Sequence, residues 1–128
     1  MKLLLDTHVF LWTITNNRKL SGTASRIILD HRNELFLSTA SVWEILLKAQ
    51  IGKLSLPKPE AGFLQNQLAQ NAIESLPLRL EHVLCLEKLP MHHRDPFDRI
   101  LIAQAIAESV PIVTADRQFA RYDVDTMW

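Results

Sequence analysis

The sequence predicts an α/β fold: a central parallel β-sheet of four to five strands with helices on both faces. Two observations carry that expectation. Short apolar runs alternate with longer stretches of helical period, the pattern of strand–helix units feeding a parallel sheet. The runs are continuously apolar rather than alternating, as strands covered on both faces require. A chain of 128 residues suits a single domain over 1–128. Its 48% hydrophobic and 22% charged residues are a globular composition rather than a disordered one.

Each element has its own reason. Lys2–Asp6 reads as a buried strand, and Thr7 to Thr15 as a helix broken by Asn16-Asn17. Ser21-Gly22 opens a second helix reaching His31, and Glu34–Ser38 forms the next strand. From Ser41 to Gln50, apolar Val42, Ile45, Leu46 and Ala49 keep the 3, 4 spacing of an amphipathic helix, with Gly52 as its stop. Pro57-Lys58-Pro59 introduces a helix through Phe63, Leu64, Leu68 and Ala69. Ile73–Leu78 is a strand, and Leu80–Leu89 a helix closed by Pro90. Asp95-Pro96 starts a helix to Glu108, since Asp suits the N-cap and Pro the first helical position. Pro111–Ala115 is a strand, Arg117–Tyr122 a short helix and Val124–Trp128 an edge strand. In such sheets the working site lies at the carboxyl ends of the strands.

Charge and cysteine content exclude several classes. Lys plus Arg and Asp plus Glu each number 14, giving zero formal charge. That argues against the uniformly basic field of a non-specific DNA coat and leaves a local basic rim open. Cys85 alone cannot form an internal disulfide. Leu3-Leu4-Leu5 is cut at once by Asp6, far short of a signal-peptide core. No run approaches the roughly 20 apolar residues of a membrane helix, so the expected location is cytoplasmic. The phosphate-binding glycine loop, HExxH and GxSxG patterns are missing, which removes the parts that ATPase, zincin and serine hydrolase readings need.

The strand ends carry acids. Asp6 ends the first strand, Asp116 follows the fourth, Glu44 lies in the helix after the second, and Asp98 opens the helix feeding the fourth. Only folding brings such distant residues together, and four carboxylates at one sheet edge repel unless cations neutralise them. Oxygen-only donors suit Mg²⁺ or Mn²⁺ better than Zn²⁺. Each acid also has a purely structural reading. Asp6 and Asp116 suit N-caps, Ser41-Val-Trp-Glu44 matches a capping box, and Asp95 is a natural N-cap that leaves Asp98 in the first turn near the helix dipole.

Other residues are less specific. His92 and His93 belong to a loop and can reach a phosphate or substrate; His8 suits packing or a supporting place behind the site. Lys48, Arg94, Arg99 and Arg117 are candidates for a basic rim holding a phosphate backbone, or are ordinary surface charge. Trp12, Trp43 and Trp128 read as core or interface anchors rather than base-stacking platforms, and Cys85 as a small core residue.

Leu-Leu-Leu-Asp6-Thr-His, Ser41-Val-Trp-Glu44-Ile, Asp95-Pro-Phe-Asp98-Arg-Ile-Leu-Ile-Ala-Gln-Ala and Thr114-Ala-Asp116-Arg-Gln-Phe together resemble the PIN-domain family. More narrowly they resemble the VapC-type toxin ribonucleases of toxin–antitoxin pairs. The likeness runs through nearly the whole chain, with Asp95–Ala105 the most specific segment and Leu56–Glu87 matching in pattern only. It implies a PIN-like three-layer fold and an Mg²⁺- or Mn²⁺-dependent endoribonuclease, usually a homodimer, held inactive by a cognate antitoxin. It places Asp6, Glu44, Asp98 and Asp116 on the family's acidic quartet, catalytic and metal-binding, with no departure from the pattern. Thr114 falls on a polar position lining the site; Asp95, Arg99 and His93 are candidates for supporting or substrate contacts. Hydrolysis leaving a 5′-phosphate and a 3′-hydroxyl is implied, with structured RNA such as a tRNA or ribosomal loop as substrate.

Two rival classes share the architecture. A phosphoacceptor signalling domain wants adjacent acids after the first strand and a lysine after the last; here Asp6 precedes Thr7-His8, and Val124 precedes Asp-Thr-Met-Trp. A DxD phosphatase fails likewise, because position 8 is His. A non-catalytic binding module on the same fold stays open.

Overall fold

The computed structural model describes residues 1–128. Five strands, β1 (Lys2–Leu5), β2 (Glu34–Ser38), β3 (Ile73–Leu76), β4 (Ile112–Val113) and β5 (Thr126–Met127), form one sheet in the order β3-β2-β1-β4-β5. Every pairing is parallel. Six α-helices connect them: α1 (Thr7–Ile14), α2 (Gly22–Leu29), α3 (Thr39–Gln50), α4 (Glu60–Gln70), α5 (Leu80–Leu84) and α6 (Pro96–Glu108). Cys85–Lys88 and Arg117–Arg121 are 3₁₀ turns.

The pleat of β1 divides the core. Leu3 and Leu5 face one layer with Val9, Phe10, Ile45 and Leu64, whereas Leu4 faces the other with Leu101, Ile102, Phe119 and Tyr122. Successive strand residues point to opposite faces, so an unbroken Leu-Leu-Leu run serves both layers at once. None of the three leucines is exposed. The expectation of a parallel sheet covered on both sides is met.

The chain walks outward from β1 through β2 to β3, then returns to place β4 on the other side of β1. Strand order therefore reverses between β1 and β4, where α/β sheets open a crevice at their carboxyl ends. The Asp6 amide donates to Val113 O at 3.0 Å and the Thr114 amide to Met127 O at 3.1 Å, fixing both strand exits side by side.

Several boundaries differ from the sequence reading. Helix α3 begins at Thr39 rather than Ser41, because Ser38, the last residue of β2, turns its own hydroxyl to accept from the Ala40 amide at 3.0 Å. Strand passes directly into helix with no connecting loop. Helix α2 stops at Leu29, and the expected helix 80–89 divides into α5 and a 3₁₀ turn ahead of Pro90. Residues 117–121 are likewise 3₁₀. Strands β4 and β5 are two residues each, shorter than expected, because only Ile112–Val113 and Thr126–Met127 find ladder partners. Gly52, with φ of 79°, supplies the left-handed residue just past α3. Helix α6 ends without a glycine, on Ser109 at φ 55°.

Candidate active site

Asp6 leaves β1 in the backbone geometry of an N-cap for α1, yet its side chain caps nothing. Its Oδ2 accepts from the Thr114 hydroxyl at 2.8 Å instead. Its Oδ1 is buried with no hydrogen-bond partner. Burial raises the Asp6 carboxyl above the usual carboxylate range, opposed mainly by the Thr114 hydrogen bond. Thr114 works in two directions: it donates to Asp6 and accepts the Asp116 amide at 3.0 Å.

Glu44 is not part of a capping box. The early start of α3 puts Ser41 inside the first turn, where its hydroxyl oxygen accepts from Thr7 Oγ1 at 2.8 Å across to α1. Glu44 is 2% exposed, and its Oε2 accepts from Lys48 Nζ at 2.7 Å one helical turn on. Its Oε1 is buried and unpartnered. The Glu44 carboxylate raises the Lys48 ammonium above its ordinary value.

Asp95 and Asp98 separate in role. Asp95 Oδ1 accepts from the amides of Phe97 at 2.8 Å and Asp98 at 3.4 Å, a true N-cap with Pro96 next to it. Asp98 turns inward, and its Oδ2 lies 3.0 Å from His93 Nε2. Burial first, then the carboxylates of Asp6, Asp95 and Glu44, push its pKa up to about 7 against the lowering influence of His93. Asp116 combines both readings. Its Oδ1 caps the following 3₁₀ turn through the Gln118 amide at 2.9 Å, and its Oδ2 is 3.0 Å from His93 Nε2. His93 Nε2 and one oxygen each of Asp98 and Asp116 all lie within 4.8 Å of one another.

The structure thus brings Asp6, Glu44, Asp98 and Asp116 to one edge of the sheet, with Thr114 and His93 between them. Arg99 does not join them. Its guanidinium donates to Pro90 O at 2.8 Å and Leu89 O at 3.4 Å, tying down the segment that leads to His93. Arg94 and Arg117 are exposed, and Lys48 is the counter-ion of Glu44 rather than a free rim charge. His8 is exposed beside Trp12, ring centroids 6.0 Å apart. Trp12 packs on Trp128 at 5.8 Å, while Trp43 is 62% exposed and stands T-shaped to Phe97, ring centroids 5.0 Å apart. Cys85 is half-buried.

Sequence reasoning missed the Thr7–Ser41 link and the Tyr122 hydroxyl that accepts from the His93 amide at 2.7 Å. Neither has a local signal. The Glu44–Lys48 pair did have one, its i, i+4 spacing on a helix.

Buried carboxylate oxygens without partners are costly. Asp6 Oδ1 and Glu44 Oε1 are such atoms, in a site whose nearby donors are all oxygen apart from His93. That chemistry fits a hard divalent cation.

A single parallel sheet covered on both faces, with an acidic site at its switch point, defines the class. Residues 3–125 match the PIN domain family model, and the chain belongs to that family. Ribonuclease VapC22 of Mycobacterium tuberculosis is 32% identical over 116 residues, 90% of this chain and 87% of that protein. Ribonuclease VapC16 of the same organism is 36% identical over 56 residues, 44% of this chain and 38% of that one. The crystal structure of VapBC2 from Rickettsia felis bound to a DNA fragment from their promoter holds a chain with the same fold. It superposes with a TM-score of 0.74 at 16% identity, covering 99% of this chain and 98% of that one. DNA-bound VapBC from Salmonella typhimurium gives 0.71 at 17% identity, with 99% and 97% covered. No helix here is long and apolar enough to cross a membrane.

Proposed function

We propose that this chain is a divalent-metal-dependent endoribonuclease, the toxin of a toxin–antitoxin pair. One observation carries the metal half: two buried carboxylate oxygens, Asp6 Oδ1 and Glu44 Oε1, are left unpartnered beside Asp98. The ribonuclease half is supported by the likeness to a relative named a ribonuclease over most of both chains.

Asp6, Glu44 and Asp98 would hold Mg²⁺ or Mn²⁺, with Asp116 at the open margin of the site. The bound ion supplies Lewis-acid polarisation of a phosphodiester and a water of lowered pKa. The chain's own residues do the positioning. Thr114 fixes the rotamer of Asp6 through its hydroxyl proton. Lys48 holds one oxygen of Glu44 and leaves the other free. Asp95 caps α6 and so sets the first turn from which Asp98 points inward. Unpaired RNA, in a tRNA or ribosomal loop, suits a compact metal-loaded site at a sheet edge, because such a site reaches an unpaired strand more easily than a duplex.

The partners follow the same reading. Chains of two DNA-bound VapBC structures share the fold, and the resemblance to VapC-type toxins implies a cognate antitoxin, which by placing Arg or Lys against the carboxylates would replace the metal's charge. A homodimer is the expected assembly. The test is RNA cleavage by the purified chain with Mg²⁺ or Mn²⁺, chelated in parallel with EDTA. Expected is metal-dependent cleavage leaving a 5′-phosphate; no cleavage of any tRNA or ribosomal RNA under loaded conditions would overturn the proposal.

A further inference from the structure

Two contacts fix the tautomer of His93. The Asp95 amide donates to His93 Nδ1 at 3.2 Å, so that nitrogen carries the lone pair and the ring proton of the neutral imidazole sits on Nε2. Nε2 stands 3.0 Å from Asp98 Oδ2 and 3.0 Å from Asp116 Oδ2. A protonated ring nitrogen donates and has no lone pair left for a metal. The ring is also built into place. Its amide is tied to the Tyr122 hydroxyl at 2.7 Å, its ring stands T-shaped to Phe119 at 5.9 Å and 82°, and Arg99 clamps the preceding segment through Leu89 O and Pro90 O.

We infer that His93 is a placeholder and not a ligand: its Nε2–H fills the position between Asp98 and Asp116 that a second cation would take. The site accordingly holds a single ion, on the Asp6, Glu44 and Asp98 carboxylates. The inference rests on the metal-dependent reading of the site and goes beyond it, by fixing the number of ions and giving His93 a positioning role.

The distribution of free oxygens supports it. The unpartnered buried atoms belong to Asp6 and Glu44. Asp116 has neither oxygen idle, since Oδ1 accepts from Gln118 and Oδ2 from His93. An ion arriving on Asp98 competes with the 3.0 Å contact from His93 Nε2 and leaves the hydrogen bond to Asp116 in place. Removing the imidazole therefore removes a competitor from Asp98 and vacates the gap beside Asp116.

Calorimetric titration of the metal-stripped full chain with Mn²⁺ tests this, comparing wild type with His93→Ala. Wild type should bind one ion per chain. His93→Ala should bind its first ion roughly 3–10-fold tighter, about the worth of one competing polar contact, and should take up a second, weaker ion. Its metal-free melting temperature should fall, because Asp98 and Asp116 then face each other without a donor. Weaker binding by His93→Ala, or unchanged affinity with one ion, would overturn the inference while leaving the metal site standing. Failure of the unaltered chain to bind Mn²⁺ at all would overturn both, so the two failures are told apart in the wild-type titration. Nitrogen NMR of the wild-type imidazole during Mg²⁺ addition gives an independent reading should the variant not fold. His93 should keep its proton on Nε2 throughout, and a switch of that proton to Nδ1 would mark a metal ligand and end the placeholder role.

Discussion

The Thr114 hydroxyl joins the ends of two strands chemically: it donates to Asp6 Oδ2 at 2.8 Å and accepts the Asp116 amide at 3.0 Å. One 3%-exposed side chain thus orients the acid at the end of β1 and the backbone leading to the acid beyond β4. Thr114→Val keeps the shape and removes both bonds. It should cost about 1–3 kcal/mol of folding stability, the penalty of leaving buried polar partners unmet. Thr114→Ser should recover most of that. Urea denaturation of the two variants checks it, and a Val variant as stable as wild type would count against the bridge.

The metal-free protein should lose stability as pH rises. Asp98 is pushed up to about 7 in the folded chain from an ordinary value of 3.8, and Asp6 is raised in the same direction. Between those values the folded state keeps a proton that the unfolded state has released, so the stabilisation is complete below about 3.8 and is lost as pH passes through about 7. Denaturation midpoints of metal-stripped wild type should fall over that window and then level. Asp98→Asn should flatten the slope; equal slopes in wild type and variant would refute the assignment to Asp98.

The acids should rank unequally. Asp116 has both oxygens engaged and sits at the open margin, whereas Asp98 is buried among carboxylates. Asp98→Asn should lower RNA cleavage by more than 100-fold, above the ~10–100-fold typical of groups one shell removed from a metal. Asp116→Asn should lose less. Asp95→Asn should lose least, because Asn at an N-cap still accepts the Phe97 amide. Initial rates at saturating Mg²⁺ would reveal a different order if this geometry misassigns the ligands.

Helix α3 supplies a test of boundary assignment. Ser38→Ala removes the working cap and should cost about 1 kcal/mol. Ser41→Ala leaves that cap intact and instead deprives the Thr7 hydroxyl of its acceptor across to α1. Combining Ser41→Ala with Thr7→Val should therefore cost less than the sum of the two single changes, since they share one interaction. Strict additivity would mean the Thr7–Ser41 bond contributes nothing.

Much of this was readable in the residues. Continuous runs such as Leu3–Leu5 announce strands buried on both faces, and the rule for α/β switch points leads to Asp6 and Asp116. The start of α3 was not readable, because Ser38 and Ser41 are both good caps and Ser41–Glu44 mimics a capping box; strand β2 running straight into the helix selects Ser38. Trp43 reads as a core or interface anchor by residue type; it lies off the Val42, Ile45, Leu46, Ala49 stripe, and its 62% exposure follows that periodicity and removes the core alternative. His93 was legible as a candidate supporting residue, but the longer-range part of its work lay beyond any local pattern. Its partners Asp116 and Tyr122 are 23 and 29 positions away, and the Thr114–Asp6 bond spans 108. Such contacts are products of strand order, which residue spacing does not state.

On the proposed reading, Glu44 and Asp98 belong to one metal-dependent cleavage site. The most direct test of that reading is RNA cleavage by Glu44→Gln and Asp98→Asn beside wild type, with Mn²⁺ or EDTA, together with the melting temperature of each chain. Both variants should fold with metal-free stability equal to or above wild type, as charge repulsion is relieved. Wild type should cleave only with the ion, gaining several degrees in melting temperature from it, and the variants should cleave more than 100-fold more slowly. Near-wild-type cleavage by both variants, or undiminished cleavage by wild type in EDTA, would contradict that reading.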